Sequence, residues 1–157
     1  MIITAPEYKE NLHKMKKTKI FLAGGISGCE DWQAEVAEEL DNRDKIVFNP
    51  RRNDFPSEPT QQEELEQVRW EIQHMDETNE ILFWFSDATI QPITLFEFGK
   101  WLTWVQHIPP YCKPLYVGIH PNYPKRMNLH AQIALTRPDL HFVNSIRELL
   151  IQIDEEH

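Results

Sequence analysis

Residues 80 to 85 read EILFWF. Apolar residues run through five of these six positions without alternation, and polar stretches close the run on either side, HMDETN before it and SDATIQP after it. A run this short and this apolar predicts a β-strand covered on both faces, the pattern of a parallel sheet sandwiched between helices. Such a strand needs partners. KIFLAG (19–24), KIVFNP (45–50), KPLYVGI (113–119) and the short HFV (141–143) supply them. Between them lie segments with helical spacing. Trp32, Val36 and Leu40 form one stripe, and Leu65, Val68, Ile72 and Met75 form another across residues 61–78. PITLFEFGKW (92–101) opens a helix expected to reach about Gln106, a further helix spans 128–135, and Ile146, Leu149, Leu150 and Ile153 share a face of the last. Ser145 and Glu148 have capping-box spacing at its start. Strands alternating with helices predict an α/β fold, a doubly wound, mostly parallel five-stranded sheet with helices on both faces. MIITAP, within an extension of residues 1–17, is a candidate extra edge strand. The 157 residues suit one domain over 1–157.

Charge narrows the partners. Lys and Arg number 16 against 25 Asp and Glu, a net charge of -9, and the basic residues gather only at Lys14, Lys16 and Lys17 and at Arg51 and Arg52. That field opposes binding to nucleic acid and favours a small-molecule ligand. Cys29 and Cys112 form no CxxC pair, and no apolar signal core precedes residue 18, so a cytoplasmic protein is expected. No apolar run approaches the ~18 residues that cross a bilayer. The seven His residues show neither HxH nor HExxH spacing, so no metal and no cofactor are expected, and no GxSxG elbow supports a serine hydrolase.

Ligands of open α/β sheets sit beyond the carboxyl ends of the strands. That edge is expected to carry GGISG (24–28), NPRR (49–52), SDATIQP (86–92) and the helix start that holds Glu97. Glu97 has two readings. In TLFE, Thr94 to Glu97, it has the spacing of a capping box; alternatively it is a nucleophile beside Trp101 and Trp104, with Gly99 leaving space for a ligand. Glu71 and Asp76 flank the apolar stripe of the preceding helix, either as solvated carboxylates or as partly desolvated functional ones. Asp87 is a turn residue or an acid at the ligand edge. Gly24, Gly25 and Ser27 offer backbone N–H groups and a hydroxyl to an anion, though a tight turn explains them equally; Asn49, Arg51 and Arg52 line the next loop, where the arginines meet phosphate or an acidic neighbour.

IFLAGGISG, DWQAEV, FNPRR, WEIQHMDETNEILFWF and PITLFEFGKW together resemble the nucleoside 2-deoxyribosyltransferase-like family, over about Lys19 to Ile119. The resemblance implies a flavodoxin-like fold, a nucleoside or nucleotide and a free nucleobase as ligands, and a homo-oligomer. It implies that Glu97 attacks C1′ of the sugar, that Asp87 handles the leaving base, and that Glu71, or failing it Asp76, holds the sugar hydroxyls. Asn49, Arg51, Thr94 and Trp101 would complete the substrate contacts. Transfer to a second base is one expected outcome. Hydrolysis of a 5′-monophosphate, with the Gly/Ser loop seating phosphate, is another, and a noncatalytic nucleotide-binding module is a third.

Overall fold

The computed structural model describes residues 1–104 and 113–155. EILFWF is strand β4, Glu80–Phe85, and all six of its residues are buried. In chain order the elements are β1 (Ile2–Thr4), a single 3-10 turn at Leu12–Lys14, β2 (Lys19–Gly24), α1 (Trp32–Asn42), β3 (Ile46–Asn49), α2 (Gln61–Glu77), β4, α3 (Pro92–Trp104), β5 (Leu115–Ile119), α4 (Arg126–Thr136), β6 (Phe142–Val143) and α5 (Ile146–Glu155). The sheet order is β1-β3-β2-β4-β5-β6. The pairs β1·β3, β2·β3, β4·β5 and β5·β6 run parallel. Without β1 this is the flavodoxin-like order 2-1-3-4-5, in which the winding reverses between the first and third strands.

Among the described residues the sheet has six strands, one more than the five expected. The sixth is the N-terminal edge: Ile2, Ile3 and Thr4 register against Val47, Phe48 and Asn49, and Ala5 N–H donates to the Asn49 carbonyl at 3.0 Å. Three residues carry too little pattern to separate a strand from an extension, and pairing with β3 decides it. The N-terminal ammonium is held by the Asp41 carboxylate and the Lys45 carbonyl.

The chain divides into two compact units, Met1–Leu22 with Asp31–Glu80, and Ala23–Glu30 with the chain from Ile81 onward. In the first, α1 starts at Asp31, whose carboxylate accepts the Ala34 N–H at 3.1 Å, and α2 starts with a capping box between Thr60 and Glu63. The expected apolar face of α2 is out of phase. Leu65, Val68 and Ile72 are exposed, while Gln67, Trp70, His74 and Met75 are buried. Aromatic packing selects the face. Trp70 donates its indole N–H to the Glu7 carbonyl at 2.7 Å, and His74 stacks on Trp70 at 4.0 Å and meets Phe48 edge-on at 4.6 Å. The Trp70 carbonyl can only accept, so the His74 Nδ1 at 2.8 Å carries the hydrogen, and burial lowers the pKa of the ring.

In the second unit, β4 is covered from both sides. Phe98 of α3 meets Phe83 and Phe85 edge-on at 5.0 and 5.6 Å, on one face. On the other, Gly118 of β5 lies so close to Trp84 and to Leu149 of α5 that an added Cβ would stand 2.6 Å from each. α5 is capped by Ser145, whose hydroxyl accepts the Glu148 N–H at 3.2 Å; the Glu148 carboxylate returns to the N–H of Asn144, one residue before the cap. α3 is described to Trp104, so the expected extension to Gln106, like Cys112, lies outside the described residues.

The opposite end of the strands is a polar weld. Lys45 Nζ lies 3.1 Å from Glu80 Oε2 with both side chains buried, and Thr78 Oγ1 donates to the Lys19 carbonyl at 2.8 Å. Replacing Lys45 by Met strands a buried carboxylate and is expected to cost about 3–5 kcal/mol in urea unfolding at neutral pH, much of which Lys45→Met/Glu80→Leu should restore.

Candidate functional site

Glu97 lies in the second turn of α3. Proline opens this helix at Pro92, where a missing N–H costs nothing, and Leu95 N–H closes the first turn on the Gln91 carbonyl at 3.1 Å. The cap is therefore Gln91. Thr94 is a buried third residue of the helix, so the capping-box reading of Thr94 with Glu97 does not describe the start of α3. The physical reason is the Pro92 start, which places both residues inside the helix. Glu97 is half-buried beside the buried Phe98. The outward face of α3 is apolar too, with Ile93 66% and Phe96 76% exposed, and a Cβ added at Gly99 would meet nothing within 4 Å. Trp101 is 2% exposed, a core position whose ring lies under Lys100 Nζ at 5.2 Å and Lys113 Nζ at 4.9 Å.

The same unit holds the glycine loop and the loop after β4, and one side chain joins them. Gln91 has a left-handed backbone, φ 54°, and is 5% exposed. Its Oε1 accepts the Gly25 N–H at 3.0 Å; its Nε2 donates to the Ser86 carbonyl and to Ser86 Oγ, both at 2.9 Å, and to the Thr89 carbonyl at 3.3 Å. The Ser86 hydroxyl in turn donates to Cys29 Sγ at 3.5 Å. A side chain at Gly25 would stand 2.5 Å from Cys29 Sγ and 2.8 Å from the Gln91 side chain, so this position must be glycine. Gly28, at φ 72°, makes the left-handed bend of the loop, and Ser27 beside it is exposed. Gly24, the last residue of β2, is half-buried. Asp87 is exposed at the tip of the second loop, its carboxylate 3.6 Å from His120 Nδ1. That nitrogen accepts the Asn122 N–H at 3.2 Å. Tyr123 donates its hydroxyl to the Ile90 carbonyl at 2.8 Å, and burial raises its pKa.

The first unit contains the remaining expected residues. Asn49 Oδ1 accepts the Arg51 N–H at 2.9 Å. The Arg51 guanidinium donates to Gln33 Oε1 at 3.2 Å and lies 3.6 Å from Asp31, and Arg52 makes a forked pair with Asp54 at 3.0 and 3.2 Å. Each arginine thus faces an acidic neighbour, one of the two readings of that pair. Glu71 is half-buried and Asp76 exposed. Gln67, buried, donates one amide to both the Pro50 carbonyl and Glu71 Oε1, each at 2.9 Å. Desolvation raises the Glu71 pKa, and this single hydrogen bond offsets it only in part. Gln67 and Gln91 were not legible as site residues: a glutamine carries no periodicity or motif, and only the Gln-Pro step before the helix marks Gln91 as a boundary.

Among the described residues, no group of three or more His, Cys, Asp or Glu could hold a metal ion, and no helix is long and apolar enough to cross a membrane. The fold and these residues define a flavodoxin-like α/β protein with a carboxylate on the helix after its central strand and a glutamine-braced glycine loop. Residues 17–108, more than half of the chain, match the family model described as nucleoside 2-deoxyribosyltransferase like, and the chain belongs to that family. No curated protein matches the chain.

Two outcomes follow. A carboxyl whose pKa is raised on folding binds its proton more tightly in the folded state, so stability falls as pH rises from the unfolded value of 4.5 through the folded one. Glu71→Gln should therefore raise the melting temperature at pH 7, with the gain vanishing as pH falls to about 4. Gly99→Ala should stabilise the protein by roughly 0.5–1 kcal/mol in denaturant, since its Cβ enters open space; ligand turnover that falls while stability rises would show that this space is used.

Proposed function

We propose that this chain transfers the 2-deoxyribosyl group of a nucleoside from one nucleobase to another. Membership of the family supports glycosyl transfer of this kind. The observation that carries the particular mechanism is the place of Glu97: a half-buried carboxylate in the second turn of a helix packed on the central strand, within the matched segment. Its carboxylate attacks C1′, the C1′–N bond breaks, and the base leaves with a proton donated by Asp87. The sugar is then an ester of Glu97. A ring nitrogen of the second base attacks C1′, the ester bond breaks, and the proton lost by the incoming base returns to Asp87. Two displacements retain configuration at the sugar carbon, as in retaining glycosidases. Glu71, its carboxyl oriented by Gln67, binds the sugar hydroxyls. The ligands are a nucleoside and a free base, with neither metal nor cofactor.

The reaction belongs, on this reading, to a cytoplasmic homo-oligomer. The exposed Ile93 and Phe96 on α3 support self-association. The test is a panel of nucleosides and 5′-monophosphates, each with and without a second base, followed by chromatography. Exchange that requires the second base is expected, with a loss on the order of 10⁴-fold or more in Glu97→Gln. Base release independent of the second base would make the protein a hydrolase. Binding without turnover, indifferent to Glu97→Gln, would make it a nucleotide-binding module.

A further inference from the structure

The glycine loop poses a question of substrate charge, because a loop of this kind after a first strand is a ready seat for a phosphate when its N–H groups point outward. Two of them are engaged here. Gly25 N–H donates to Gln91 Oε1 at 3.0 Å, and Cys29 N–H donates to the Ile26 carbonyl at 3.2 Å. Gln91 is held from its other end, since its Nε2 donates to two carbonyls and a hydroxyl of the loop after β4. Turning the side chain away to release Gly25 would take this donor from those part-buried acceptors. The side chain also fills the space over Gly25, where an added Cβ would meet its Cγ and Cδ at 2.8 Å each. The charges of the same unit point the same way. Glu30, Asp87 and Glu97 lie on the loops and on α3, the His120 Nδ1 beside Asp87 is occupied as an acceptor, and Lys100 Nζ and Lys113 Nζ lie over the Trp101 ring. In the other unit, Arg51 and Arg52 each face a carboxylate.

We propose that Gln91 is a specificity-determining residue that closes the glycine loop to phosphate, so that the site takes an uncharged 5′-hydroxyl nucleoside and rejects the corresponding 5′-monophosphate. Its Oε1 takes the hydrogen bond that a phosphate oxygen would need from Gly25. The left-handed backbone at this position makes the proposal testable without strain, because glycine adopts that conformation freely. Gln91→Gly removes the clamp and exposes the Gly25 N–H. Gln91→Asn keeps an amide on a residue that tolerates the left-handed region, but on a side chain one methylene too short to span both loops.

This inference rests on the reading of the site as one for nucleosides, so the experiment has two arms. In the first, kcat/KM is measured for a 2′-deoxynucleoside and for its 5′-monophosphate, with wild type and both variants. Wild type is expected to favour the nucleoside by about 100-fold or more, on the scale of discrimination set by an unpaired polar group. Gln91→Gly should narrow that ratio by about 10-fold or more, chiefly through a lower KM for the monophosphate, and Gln91→Asn should narrow it in the same direction. A wild-type preference for the monophosphate overturns the proposal, as does an unchanged ratio in a variant whose circular dichroism and melting match wild type. The second arm titrates inorganic phosphate against the Gly25 and Ser27 amide resonances. Shifts in Gln91→Gly but not in wild type support the closed loop, and equal responses sink it. If neither compound turns over while this arm gives the expected contrast, the nucleoside reading fails and the loop assignment stands.

Discussion

Burial of β4 on both faces is the constraint from which the rest of this structure follows. Phe83 and Phe85 are covered by Phe98 from α3, and Trp84 faces Gly118 with Leu149 of α5 behind it. No side chain of this strand reaches solvent along its length. Any chemistry must therefore be delivered from the strand's carboxyl end, by the loop that leaves it and by the helix that returns to cover it. That is where Asp87, Gln91 and Glu97 stand in sequence, and α3 does double service, packing on the core through Phe98 while carrying Glu97 one residue earlier.

The chain treats its buried acids in two ways. Glu80, at the amino end of the strand, is paired with Lys45, whose Nζ lies 3.1 Å from its carboxylate. Glu71 receives only a neutral amide from Gln67, and burial wins over that hydrogen bond. Gln91 brings the same chemistry to the other loop, an amide that donates and accepts at once and adds no charge beside Glu97. Neutral amides brace Glu71 and the Gly25 loop, and a buried charge pair secures the amino end of β4. A site whose carboxylates were matched by buried lysines would be more stable and less reactive.

The legible parts of the fold were those written in short-range pattern. β2 and β4 begin and end where KIFLAG and EILFWF do, because a continuous apolar run bounded by polar residues has few other solutions. The face of α2 was not legible: Leu65, Val68 and Ile72 make the cleaner stripe, but Trp70 and His74 bury more surface once Phe48 and the Glu7 carbonyl are there to receive them. Nor was the fate of Thr94, since T-x-x-E spacing is real but the helix starts at Pro92, three residues sooner than a Thr94 cap would start it. Glu97 stood out as a charge in an apolar run. Gln91 did not, because its role is defined by Gly25, 66 positions away in the chain.

The proposed reaction needs a proton for the departing base, and the surroundings of Asp87 bear on how it is supplied. His120 Nδ1 lies 3.6 Å from the Asp87 carboxylate, yet the same nitrogen accepts the Asn122 N–H at 3.2 Å. An imidazole nitrogen that accepts carries no hydrogen, so the neutral ring bears its proton on Nε2 and donates nothing to Asp87 through Nδ1. The turn from His120 to Tyr123, closed by the Tyr123 N–H on the His120 carbonyl and anchored by the Tyr123 hydroxyl on the Ile90 carbonyl, holds the ring in this arrangement.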